Sequence, residues 1–89
     1  MKYTQATLNK LEHLLEDSGY IIRYERGTFQ SGYCILEEKK VVVLNKFLQL
    51  EGRIITLIDL LPQLTIQFEN LSNENQKTYS ELLEKQQST

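Results

Sequence analysis

Apolar residues along this chain change period from block to block, and each period predicts an element. Over residues 4–17, Leu8, Leu11, Leu14 and Leu15 recur at the spacing that gathers one stripe on a helix, with Ser18 and Gly19 as the stop. Tyr20, Ile22 and Tyr24 then alternate with Ile21, Arg23 and Glu25, the period of a strand buried on one face. Residues 27–32 begin and end with glycine, where a positive φ costs little, and read as a loop. A second strand over 33–36 turns through the charged EEKK tip at 37–40 into a third over 41–44, as an antiparallel hairpin. VVVL does not alternate, so the third strand is expected to be central or covered on both faces.

A second helix is predicted over 48–61, with Leu50, Ile54, Leu57, Ile58 and Leu61 on a broad apolar face and Glu51, Gly52, Thr56, Asp59 and Gln63 opposite. Ile55 stands outside that stripe and suggests a second contact, with a neighbouring chain or the C-terminal helix. Pro62 ends or kinks the helix. Leu64, Ile66 and Phe68 alternate as a short extended piece, and Ser72 is the expected N-cap of a last helix over 72–85 with Tyr79, Leu82 and Leu83 on its apolar face. The elements together predict an α+β fold. Its α-β-β-β-α core, about residues 4–64, holds a three-stranded, mainly antiparallel sheet packed on helices, and a C-terminal helix is added within one domain, 1–89.

Composition bounds the chemistry. With 89 residues the core is single and small. Ten Lys and Arg against 12 acids give a formal charge of -2, so no global positive field draws in a polyanion. No stretch is apolar enough for a signal peptide or a membrane span, and one cysteine, Cys34, fits a reducing cytoplasm. Nucleotide, CxxC, HExxH and EF-hand motifs are all lacking. His13 falls about 140° from Leu8 on the helical wheel, on the polar side, where a solvated histidine is expected. Neither a catalytic constellation, a cofactor nor a metal site is expected.

Cys34 reads first as a small buried hydrophobe, and as a reactive thiol only with a cation beside it, from Arg23, Arg26 or Arg53. Arg53, at the edge of the second helix's stripe, reads either as a snorkelling or internally paired side chain or as a contact for an anion or partner. Lys39 and Lys40 with Glu37 and Glu38 make a solvated hairpin tip.

The order of helix, three strands and helix, with Leu44-Asn45, Arg53 and Thr56-Leu57, resembles the ImmA/IrrE-type zinc metallopeptidases. In that family a TLAHELGH-like helix carries the metal. Here Asp59 and Gln63 stand for the two histidines, Leu60 for the glutamate and Pro62 for the glycine, so the resemblance implies a degenerate site with no zinc hydrolysis. The pieces around Arg26 to Phe29, Gly32 to Cys34 and Val43 to Lys46 are also similar to those of a family of small, uncharacterised bacterial proteins, which implies no mechanism.

The expected function is a non-enzymatic, cytoplasmic protein-interaction domain, and Ile55 with the Tyr79, Leu82, Leu83 stripe and the sheet edges points to a homodimer. Candidate contacts are Arg26, Phe29, Cys34, Phe47, Arg53 and Ile55. Two alternatives stay open. One is a small-ligand or thiol-redox site around Cys34 and residues 27–32. The other is nucleic-acid binding through Arg23, Arg26, Lys39, Lys40, Lys46 and Arg53, disfavoured by the neighbouring Glu25, Glu37, Glu38, Glu51 and Asp59.

Overall fold

A computed structural model describes residues 2–26 and 33–87, with the side chains at 33–35, 37 and 84–87 left aside. Helix α1, Gln5–Asp17, starts at Thr4, whose Oγ1 accepts the Thr7 N–H at 3.3 Å. It stops where Gly19 takes φ +89, a left-handed conformation that a side chain resists, and the Tyr20 N–H returns to the Leu15 carbonyl at 2.9 Å. Leu8, Leu11, Leu14 and Leu15 are all buried on one stripe.

Three strands follow: β1, Ile21–Glu25; β2, Tyr33–Leu36; and β3, Val41–Asn45. Their spatial order is β1-β3-β2. β2 pairs antiparallel with β3, but β1 pairs parallel with β3 in the register Ile21↔Val41 to Glu25↔Asn45. The sheet is therefore mixed, and the expectation of a mainly antiparallel sheet is wrong. The chain runs up β1, down β2 and up β3. A meander in that order would be antiparallel throughout, whereas inserting β3 between the other two makes β1 and β3 neighbours that run the same way. Val41, Val42, Val43 and Leu44 are all buried, so the most apolar strand gains most by taking the centre.

Between β2 and β3 the EEKK tip forms a 3-10 turn, Glu37–Lys39, and Lys40 adopts φ 50. Helix α2, Leu50–Leu60, buries Ile54, Leu57 and Leu60, and Pro62 falls in the 3-10 turn Leu61–Gln63 that follows. The alternation of Leu64, Ile66 and Phe68 does not make a strand. Leu64 is buried, Phe68 opens another 3-10 turn, Phe68–Asn70, and the Thr65 N–H donates to the Tyr20 hydroxyl at 2.9 Å. Helix α3, Asn73–Gln87, packs on α1 and buries Leu82, with Tyr79 half-buried.

The core joins Val42 and Leu44 to the leucines of α1, to Ile54, Leu57 and Leu60 of α2, and to Leu71 and Leu82. Ile22 and Tyr24 pack against it from β1, so this is the helix-covered face of the sheet. The opposite face carries the row Ile21, Val41 and Leu36, in which Ile21 is 56% and Leu36 48% exposed. No helix of the described residues is long and apolar enough to cross a membrane.

Candidate functional site: the Phe47 turn

The parallel strands end together. The Lys46 N–H donates to the Glu25 carbonyl at 3.0 Å, one step past the last register pair, so Arg26 and Lys46 leave the sheet side by side. At this point Asn45 builds a turn. Its Oδ1 accepts the Phe47 N–H at 3.0 Å and its carbonyl accepts the Leu48 N–H at 3.0 Å, an Asx-turn within a β-turn. Phe47 is lifted off the body of the protein and is 67% exposed.

Arg53 braces the turn from α2. Its Nε donates to the Leu48 carbonyl at 2.9 Å and its Nη2 to the Lys46 carbonyl at 3.1 Å, so one guanidinium fixes the backbone on both sides of Phe47. The same guanidinium lies on the Tyr24 ring, 4.6 Å from its centroid. Tyr24 in turn donates its hydroxyl to the carboxylate of Glu12 on α1. A continuous chain of contacts thus runs from α1 through β1 and α2 to the tip of the turn.

Two cations flank the tip. The Arg26 guanidinium lies 5.7 Å and the Lys46 ammonium 5.5 Å from the centroid of the Phe47 ring. Among the described residues the ion pair is Arg23 with Glu25 at 3.0 Å, which engages the acid next to Arg26. The result is an exposed aromatic on a fixed backbone with positive charge around it. Holding the turn rigid before contact lowers the ordering cost of association.

Tyr24 is the group of this cluster whose proton affinity is perturbed. Burial, reinforced by the bond to Glu12 and its charge, pushes the Tyr24 hydroxyl well above the usual tyrosine range, against the opposing charge of Arg53. It stays protonated at neutral pH.

A second polar cluster is structural. Asp17 Oδ2 accepts the Ser72 N–H at 2.8 Å and the Asn75 side-chain amide at 2.9 Å, while Ser72 Oγ accepts the Asn75 N–H at 3.3 Å as the N-cap of α3. These bonds dock α3 on α1 and satisfy Asn75, which is buried. They hold the Asp17 carboxyl below its usual range, the Asn75 bond first and the Ser72 bond second. His13 is exposed, and its Nδ1 lies 3.4 Å from the Asn75 amide.

Of the residues singled out in the sequence, the structure brings Arg26, Phe47 and Arg53 into one place. It leaves Ile55 elsewhere on α2, 38% exposed. Phe29, residues 27–32 and the Cys34 side chain lie outside the described residues, and Cys34 is placed only by its register opposite Val43. The basic set proposed for nucleic acid does not converge as a whole. Lys40 instead lies over the Tyr20 ring at 5.5 Å and Arg23 is paired with Glu25. At the metallopeptidase positions Asp59 is exposed and Leu60 is fully buried in the core. Among the described residues no three His, Cys, Asp or Glu side chains group to hold a metal.

Glu12, Tyr24 and Asn45 were missed as parts of this site. Asn45 carried the one local signal, since an Asn two residues before an exposed position is an Asx-turn former. The Glu12 to Tyr24 bond spans α1 and β1 and has no sequence signature. No family model, curated protein or solved structure matches the chain.

Proposed function

We propose that this chain is a non-enzymatic interaction domain that docks a protein partner through the Phe47 turn, working in a reducing cytoplasm. The observation that carries it is the exposed Phe47 on a turn fixed by Arg53 and Asn45. A lone exposed apolar residue is ordinary on any protein surface. One held on a braced backbone between two cations has the makeup of a binding hot spot, where an aromatic anchor and Arg dominate the energy. The buried Leu60 at the place of the metallopeptidase glutamate supports a scaffold without zinc chemistry. The test is affinity capture with wild type and Phe47→Ser. Loss of a stoichiometric protein in the variant supports the proposal, and identical captures refute it.

A specific observation favours self-association as a second reading. The Ile21, Val41, Leu36 row lies on the face that the helices leave open, with apolar edges exposed on both sides of a buried centre. A second copy related by a two-fold axis running along β3 would set Ile21 against Leu36 and Leu36 against Ile21. Of the Tyr79, Leu82, Leu83 stripe, Leu82 is buried in the core and Tyr79 packs against it, while Leu83 is 39% exposed. Sedimentation equilibrium of wild type against Ile21→Glu with Leu36→Glu decides it: dimer lost in the double variant supports this face, and a monomeric wild type discards it.

A further inference from the structure

We infer that the segment taken by the Phe47 turn is an acidic stretch of protein bearing at least one apolar side chain. This rests on the docking role of the turn and adds the chemistry of its occupant. Charge is the first argument. Glu25 is engaged by Arg23, so the acid adjacent to Arg26 does not neutralise it, and both Arg26 and Lys46 are exposed at the ends of adjacent strands. Arg53 adds its charge from below, although its Nε and Nη2 are committed to the turn carbonyls. Helix α2 begins at Leu50, three residues after Phe47, with no side-chain cap from Gln49 and with Glu51 as the acid of its first turn. A carboxylate beside the ring meets two cations.

The apolar argument is the ring itself. An acidic group satisfies Arg26 and Lys46 but leaves the exposed face of Phe47 in water, so a complementary segment also brings an apolar side chain. The whole-chain charge then separates protein from nucleic acid. A chain of formal charge -2 offers a long polyanion no net attraction, whereas a short acidic segment meets the turn alone.

Selection of random peptides displayed on phage against wild type, with counter-selection on Phe47→Ser, tests both layers separately. The expected result is enrichment of peptides that combine Asp or Glu with Leu, Ile, Phe or Met. Binding of the best of them weakens by roughly tenfold in R26Q/K46Q, a variant whose folding circular dichroism checks, and weakens with added salt. Phe47-dependent peptides without acidic residues would overturn the acidic occupant while leaving the docking role intact. Oligothymidylate bound more tightly than any selected peptide at low salt would assign the turn to nucleic acid instead. Absence of any Phe47-dependent peptide would remove the docking role and this inference with it.

Discussion

The guanidinium of Arg53 lies 4.6 Å from the centroid of the Tyr24 ring while two of its nitrogens hold the carbonyls of Lys46 and Leu48. This one side chain joins the core-facing strand β1 to the turn that carries Phe47. Its planar fork satisfies two carbonyls and a ring face at once, which an ammonium cannot. Arg53→Ala is expected to cost about 2 kcal/mol, from two charge-assisted bonds and one ring contact, and to lower Tm by roughly 10 °C. Arg53→Lys recovers little of it. Thermal denaturation checks both, and a Lys variant that melts like wild type contradicts the brace.

Tyr24 gives a prediction at high pH. Its folded pKa is raised above the unfolded value of about 10, so its contribution is complete below that pH and is lost as pH rises through the folded value. Ultraviolet titration is expected to show a late-ionising tyrosine that Tyr24→Phe lacks. The variant loses the bond to Glu12, at about 1 kcal/mol, and its stability falls less steeply above pH ~10.

Asp17 gives the opposite limb. Its folded pKa is depressed, so the stability it contributes is present above the unfolded value and is lost as pH falls through the folded one. The bonds to Ser72 and Asn75 loosen as the carboxylate is protonated. Asp17→Ala is expected to flatten the acid limb of Tm against pH and to raise amide exchange in the first turn of α3. An unchanged acid limb would show that this contact is not linked to folding.

Stability and the proposed docking should separate at two positions. Leu57 is fully buried, and Leu57→Ala is expected to cost about 2–5 kcal/mol. Phe47 is largely exposed, and Phe47→Ser should change stability by about 1 kcal/mol or less, through its two cation contacts. Equilibrium urea denaturation of the two variants checks this. A strongly destabilised Phe47→Ser would mean that the ring serves folding.

Local pattern made the helices and strand positions legible, because each element shows its period in its own residues. The stripe of Leu8, Leu11, Leu14 and Leu15 marks α1, and the unbroken VVVL marks a buried strand. What local pattern does not encode is which strands become neighbours. β1 looks the same beside β2 or beside β3, and the choice of β3 depends on long-range packing of Val42 and Leu44 on the helices. The same limit applies to the site. Arg26, Phe47 and Arg53 could be picked out singly, but their assembly required the parallel pairing that brings Arg26 beside Lys46. Asp17 with Ser72 and Glu12 with Tyr24 are distant in sequence and carry no motif.

A partner docked as proposed would sit directly on Phe47. Replacing Phe47 by photoreactive benzoylphenylalanine and irradiating cells that express the chain tests it most directly, with the same label at exposed Thr65 as the control. The expected result is a discrete heavier adduct from position 47 and none from position 65. Equal labelling at both positions, or none at 47, would mean that no partner docks on Phe47.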